Sequence, residues 1–256
     1  MYSIEKASAW KRISAALFDA IILVITAVGI AFCLSSLFNY QSHYDRLEEI
    51  YTRIEAEYGV DFDITSEEYE KMTEEQKKQY VEKANEASKV INEDDEAKYV
   101  FETLFTLSLI ILSFSILIAY LLLDMLIPVL LKNGQTIGKK LFGVAVIRED
   151  GVKVSPLLMF IRTLLGKYAI ETMLPVLIIM MLFFGIPDPV GMIVIVALVM
   201  SQIIMFVFTK KRTVIHDRLS HTVCVDFATQ MIFDSPEALA EYKAKLQAKI
   251  AERSQD

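Results

Sequence analysis

Five ionisable side chains stand inside stretches that are otherwise apolar. Asp19 lies within Ile13–Phe38, Asp124 within Leu104–Leu131, and Arg162, Lys167 and Glu171 within Pro156–Phe184. An ionised group surrounded by hydrocarbon costs ~2.5–3.5 kcal/mol on insertion scales, so such groups persist where they are paired or line a wet cavity. Asp19 follows Arg12 by seven residues, Asp124 precedes Lys132 by eight, and Arg162 follows Ser155 by seven. At the rise of an α-helix each stands about 10 Å from the polar end of its stretch. Three helices would thus bring Asp19, Asp124 and Arg162 to one level. Arg162 placed between the two carboxylates leaves one net negative charge, enough to hold a monovalent cation or exchange a proton. The same residues also suit a closed ion-pair layer that only fixes helix packing, and both readings stand. Lys167 and Glu171 are spaced i, i+4 and are expected to neutralise each other on one helix face. Arg12 is expected to snorkel towards headgroups.

The elements that must position these groups are membrane spans. Apolar residues make up 54% of the 256 residues and charged residues 23%. A soluble domain sits nearer 45–50% apolar. The two figures coexist because the charges are segregated. Ile13–Phe38, Leu104–Leu131, Pro156–Phe184 and Val190–Phe208 are each long enough for a hydrocarbon core of about 30 Å, which takes ~20 helical residues. The bilayer leaves backbone polar groups no water, so these stretches are predicted to be helices. Lys6, Lys11 and Arg12 precede the first; Lys132, Lys139, Lys140, Arg148 and Lys153 lie between the second and third; Lys210, Lys211, Arg212 and Arg218 follow the fourth. The positive-inside rule places these segments and both termini in the cytoplasm. The basic start and apolar run resemble a signal peptide, but the run is too long and contains Asp19, so an uncleaved first span is expected. The third stretch would be about 43 Å long as one helix. A tilted or kinked span is expected there; the other arrangement lays residues 156–172 along the interface and folds Met173–Phe184 onto Val190–Phe208 through Gly185–Gly191.

The predicted class is an all-α membrane protein: a four-helix transmembrane bundle with a helical acidic outer loop and a small cytoplasmic β-hairpin. Residues 1–39 hold the N-terminus and first span, 40–100 the outer loop, 101–131 the second span, 132–154 a Gly-rich loop and hairpin, 155–208 the third and fourth spans, and 209–256 the cytoplasmic tail. Residues 41–100 hold 18 acidic and 8 basic residues. That single segment carries more than the whole net charge of −7, and an acidic chain does not suit nucleic acid. Ser66 with Glu67, Glu68 and Glu70 marks a helix start, and Tyr69, Met72, Gln76, Tyr80 and Ala84 continue at helical spacing. The segment reads as a solvated spacer or as a contact surface for a protein partner. Asp150-Gly151 between Val144–Ile147 and Val152–Val154 signals a hairpin. Ser235-Pro236-Glu237 caps a helix to about Arg253, whose thin stripe of Leu239, Tyr242, Leu246 and Ile250 is expected to be a solvated tail.

Several chemistries fail on spacing. Gly134-Gln135-Thr136-Ile137-Gly138-Lys139-Lys140 has three residues between its glycines and no Ser or Thr after the lysine, so it is not a phosphate-binding loop. A basic turn at headgroup level is expected instead. His216 and His221 lack the i, i+4 spacing of a zinc helix, and Asn92–Glu96 lacks a calcium-loop pattern. Cys33 and Cys224 imply no disulfide framework. No metal, cofactor or enzymatic activity is expected. Asp217 is expected to accept from Arg12, Arg218 or the Gly-rich loop at the cytoplasmic boundary.

Three motifs carry a resemblance. They are Trp10-Lys11-Arg12 through Phe18-Asp19, then Gly134 to Val144 with Thr136, Gly138, Lys139 and Gly143, and finally Thr213-Val214-Ile215-His216-Asp217-Arg218-Leu219 followed by Thr222–Val225. In this order, with Arg162 between the second and third, they resemble the RDD family over about residues 6–226. The name refers to an Arg and two Asp, matched by Arg12, Asp19 and Asp217. Some members are described as Na⁺/H⁺ antiporters, so the resemblance implies secondary transport of a monovalent cation and a proton, for which the depth of Asp19, Asp124 and Arg162 makes those residues the candidate site. It also implies a multi-pass protein of a bacterial cell membrane. Four spans make a thin pathway, so a homo-oligomer is expected if transport occurs. A membrane scaffold or accessory subunit is the competing expectation.

Overall fold

A computed structural model describes residues 4–183, 189–209 and 212–253. Four helices are long and apolar enough to cross a membrane: α1 (Ala9–Leu37), α5 (Asp95–Leu130), α7 (Pro156–Leu182) and α8 (Pro189–Phe208). Their outer faces are apolar and exposed, as with Leu17, Ile21, Val24, Ile25, Val28 and Phe32 along α1. Such a surface belongs in hydrocarbon, so the chain is an all-α membrane protein. The third stretch is one continuous helix. The turn expected at residues 185–191 falls mostly outside the described residues.

Two spans carry π-helical turns. They occupy Leu121–Leu126 in α5 and Arg162–Met173 in α7. The wide i→i+5 winding matters for side-chain direction. In an α-helix, nine residues turn Arg162 and Glu171 to opposite faces. At about 4.4 residues per turn, nine residues complete roughly two turns, so both face one way.

The chain divides into two compact units. One comprises residues 31–114, where α2 (Tyr40–Tyr58), α3 (Ser66–Lys71) and α4 (Glu74–Glu93) connect α1 to α5. Thr65 and Thr73 each form a capping box, with Glu68 and Gln76, so the helical pattern read through Met72 is two helices rather than one. Helices α2 and α4 enclose a small core of Ile50, Ile54, Val60, Ala87 and Ala97. The acidic segment therefore has an apolar interior of its own.

The other unit holds residues 1–30 and 115–256. After α5 come a short helix α6 (Ile137–Leu141), strand β1 (Val144–Arg148), α7, α8, a short helix α9 (Ile215–Leu219), strand β2 (Thr222–Asp226) and α10 (Pro236–Arg253). The ladder partner of β1 is β2, antiparallel, with Val144 opposite Asp226 and Arg148 opposite Thr222. The local hairpin contributes a single bridge, Ile147 to Lys153. The Asp150-Gly151 turn does form, but β1 is buried on both faces and needs a strand that is equally apolar. Val223-Cys224-Val225 is such a strand and Lys153 is not. Residues 5–7 add to the free edge of β2, through the Ala7 N–H to Cys224 C=O bond and the Asp226 N–H to Glu5 C=O bond. Ala7, Val144, Val146 and Cys224 fill one face of the sheet, and Ala145, Ile147, Val223 and Val225 the other. The start of α10 is not a free tail, since Leu239 is buried with Val152 and Phe233.

Candidate functional site

Asp217 occupies the first turn of α9 and is fully buried. Its Oδ1 accepts from Arg162 Nη2 at 2.5 Å and its Oδ2 from Arg12 Nη2 at 3.1 Å. Arg12 also donates to the Arg212 carbonyl and lies over the Phe206 ring, 5.1 Å from its centroid. Burial pushes the Asp217 carboxyl up, but the neighbouring cations, Arg162 foremost, outweigh it and hold the group below the usual carboxylate range. Arg12 and Arg162 are 9% and 3% exposed. The boundary position expected for Arg12 and Asp217 is thus a dry one. The first span and α9 are tied together through it, because β2 anchors α9 beside the N-terminus.

Asp19 meets the Gly-rich loop. Thr136 Oγ1 donates to it at 2.5 Å, the Gly138 N–H at 2.7 Å, and Lys139 Nζ lies 3.4 Å away. Thr136 also caps α6 by accepting from the Lys139 N–H. The glycines that suggested a phosphate cradle instead bring the loop against α1. A Cβ at Gly138 would stand 2.5 Å from the Ala15 carbonyl oxygen and 2.8 Å from Asp19 Oδ1. Burial, and next the charge of Lys167, lower the Lys139 ammonium from its ordinary value.

Asp124 and Lys167 form a third pair across the two π-helical segments, and Thr163 Oγ1 donates to the Asp124 carbonyl at 3.1 Å. Glu171 takes His216 instead of Lys167. The His216 backbone N–H donates to its Oε1 at 3.0 Å, and His216 Nδ1 lies 2.8 Å from its Oε2. Gly166 admits the histidine, since a Cβ there would stand 2.5 Å from His216 Cβ. Burial pushes the His216 imidazole below its ordinary value, against the pull of Asp217. The ring is therefore neutral at pH 7.

Asp19, Asp124 and Arg162 line one cavity of about 260 Å³. The pairing inside it differs from the expected one. Arg162 does not stand between Asp19 and Asp124, because each has a lysine and Arg162 serves Asp217. The i, i+4 pairing of Lys167 with Glu171 is also replaced, since π winding turns Lys167 to Asp124. The cluster holds four cations, Arg12, Lys139, Arg162 and Lys167, and four carboxylates, Asp19, Asp124, Asp217 and Glu171, the last of them paired with His216 instead of a cation. With neutral His216 the cluster is balanced, not negative. Arg218 is exposed and takes no part. Gly134 and Gly143, both at positive φ, flank α6 and turn the chain into β1. One donor is left over: Arg162 Nε is buried without a partner. A buried orphan donor costs about 1–3 kcal/mol. No group of residues suited to a metal ion occurs among the described residues.

Sequence reasoning missed Lys139, Lys167 and Glu171 as members of one cluster, and the depth of Asp217. The three motifs converge on this cluster. No curated protein and no solved structure matches the chain. A family model described as RDD family matches residues 6–221, and the chain belongs to that family.

Proposed function

We propose that this RDD-family protein is a secondary transporter of the cell membrane, exchanging a monovalent cation such as Na⁺ for a proton, and not an enzyme. The observation that carries the reading is the Asp124–Lys167 pair in the wall of the cavity, on π-helical turns of two spans. Such turns are rare and concentrate at functional sites. The exchange follows from charge. A cation that reaches Asp124 displaces the Lys167 ammonium. An ammonium left in a desolvated site without its carboxylate is costly, so it releases its proton. One positive charge replaces another, and the balance of the cluster is kept. Asp19 repeats the arrangement with Lys139, and Arg162, locked on Asp217, holds the cavity open between them. The flanking lysines and arginines support an orientation with both termini in the cytoplasm and α2–α4 outside. Four spans leave a short wall around such a path, which favours a homo-oligomer.

The test is Na⁺-dependent proton flux in proteoliposomes, for wild type, Asp19→Asn and Asp124→Asn. Flux is expected in the wild type and at least a tenfold loss in Asp124→Asn. No flux above empty liposomes overturns transport. It would favour the second reading, an accessory subunit, which rests on the separate core of α2 and α4 as a folded contact surface for a protein partner. Flux untouched by either substitution keeps transport and rejects the site.

A further inference from the structure

Arg162 is under-committed. Its Nη2 serves Asp217 and lies 4.0 Å from Cys224 Sγ, while Nε has no partner. The neighbouring cations are engaged: Arg12 on Asp217 and the Arg212 carbonyl, Lys139 on Asp19 and Thr136, Lys167 on Asp124. The charge of the wall also differs from that of the whole cluster. All four cations face the cavity, but only three carboxylates do, because Asp217 is sealed behind them. The wall therefore carries one positive charge in excess. Besides Tyr120, His216 and Cys224, the remaining lining is apolar, including Ala16, Ala20, Leu23 and Phe206. A guanidinium is planar and offers paired donors that match an oxyanion. The volume of about 260 Å³ lies below the ~300–1,000 Å³ of sites for drug-sized ligands, so the occupant is small.

We propose that this cavity binds a small amphiphile with a single oxyanion head, a carboxylate or a phosphate diester, seated on Arg162 with its apolar body along Ala16, Ala20 and Leu23. The site goes beyond cation exchange and does not depend on it. It is tested on the full chain in phosphatidylcholine nanodiscs, without any ion gradient, by equilibrium binding of radiolabelled benzoate. Saturable binding is expected, displaced by unlabelled benzoate and not by benzyl alcohol of nearly the same size. Ala20→Leu fills the apolar part and leaves every ion pair in place. It should weaken binding at least tenfold at an unchanged melting temperature. Arg162→Lys keeps the charge but loses the planar fork, and should weaken binding similarly. Absence of saturable binding to folded protein, equal competition by benzyl alcohol, or wild-type binding by Ala20→Leu would each overturn the proposal. Repeating the measurement with phosphatidylglycerol in the discs separates the sources. Displacement assigns the head to an anionic lipid, and undiminished binding to a soluble anion; both uphold the oxyanion site. Sodium flux without benzoate binding would sink this inference alone, and the reverse would sink only the exchange reading.

Discussion

Replacing Asp217 with Asn should strip two guanidiniums of their shared counter-charge while leaving the shape of the side chain intact. Asp217 is fully buried, and its partners Arg12 and Arg162 are 9% and 3% exposed, so water cannot take over. Removing one member of a buried pair costs about 3–5 kcal/mol, because the remaining charge is left uncompensated. Each kcal/mol moves the melting temperature of a chain of this size by roughly 2–4 °C. The expected fall is therefore about 6–20 °C. Cys224 is a built-in reporter, being buried within 4.0 Å of Arg162. A thiol-reactive fluorophore would follow its exposure on heating, in a Cys33→Ser background because Cys33 is exposed. Adding Arg12→Gln to Asp217→Asn removes one stranded cation and should recover part of the loss. Asp19→Asn should cost less than Asp217→Asn, since Asp19 answers one lysine and two neutral donors. A fall of less than about 2 °C for Asp217→Asn would refute the claim that this carboxylate holds the two arginines by charge.

Gly138→Ala should destabilise the protein by about 1–3 kcal/mol, the usual range for overpacking, because its Cβ would press on Ala15 and Asp19; wild-type melting would show that α6 can retreat. His216 is held neutral by burial, with Asp217, Arg162 and Glu171 facing it. A histidine whose folded value is lowered contributes no penalty above its unfolded value and loses stability as pH falls below it. Melting temperature should thus drop from pH 7.5 to pH 5 more in wild type than in His216→Gln, and parallel curves would count against a neutral ring. Ile54→Ala, in the core beneath α2 and α4, should cost about 2–5 kcal/mol and raise amide exchange within residues 40–100; unchanged exchange there would mean that this core does not hold the segment.

The corrections to the pairing along α7 share one cause. Periodicity assumes a single winding, and α7 departs from it. Once Arg162–Met173 widens to a π-helix, Lys167 leaves Glu171 for Asp124, and Glu171 becomes free for His216. The hairpin at Asp150-Gly151 was a sound local inference, and its turn exists. It lost the ladder because a strand buried on both faces is satisfied best by another apolar strand, whatever its distance along the chain. The stripe of the tail helix is thin, yet Leu239 and Tyr242 suffice to dock its first turns on Val152 and Phe233.

What the amino-acid sequence determined by itself was everything the solvent decides. Hydrocarbon selects long apolar helices, so the four spans follow from length and composition alone. The energetic cost of charge in that medium marks Asp19, Asp124 and Arg162 as residues that must be paired or wet. The order of three motifs was enough for the family. Which charge meets which was left to the tertiary structure. Opposite charges attract without regard to sequence distance, and four cations with four carboxylates permit many pairings of similar energy. Close approach chose among them: Gly138 lets α6 reach Asp19, Gly166 lets His216 reach Glu171, and the β1–β2 ladder seats Asp217 between two arginines.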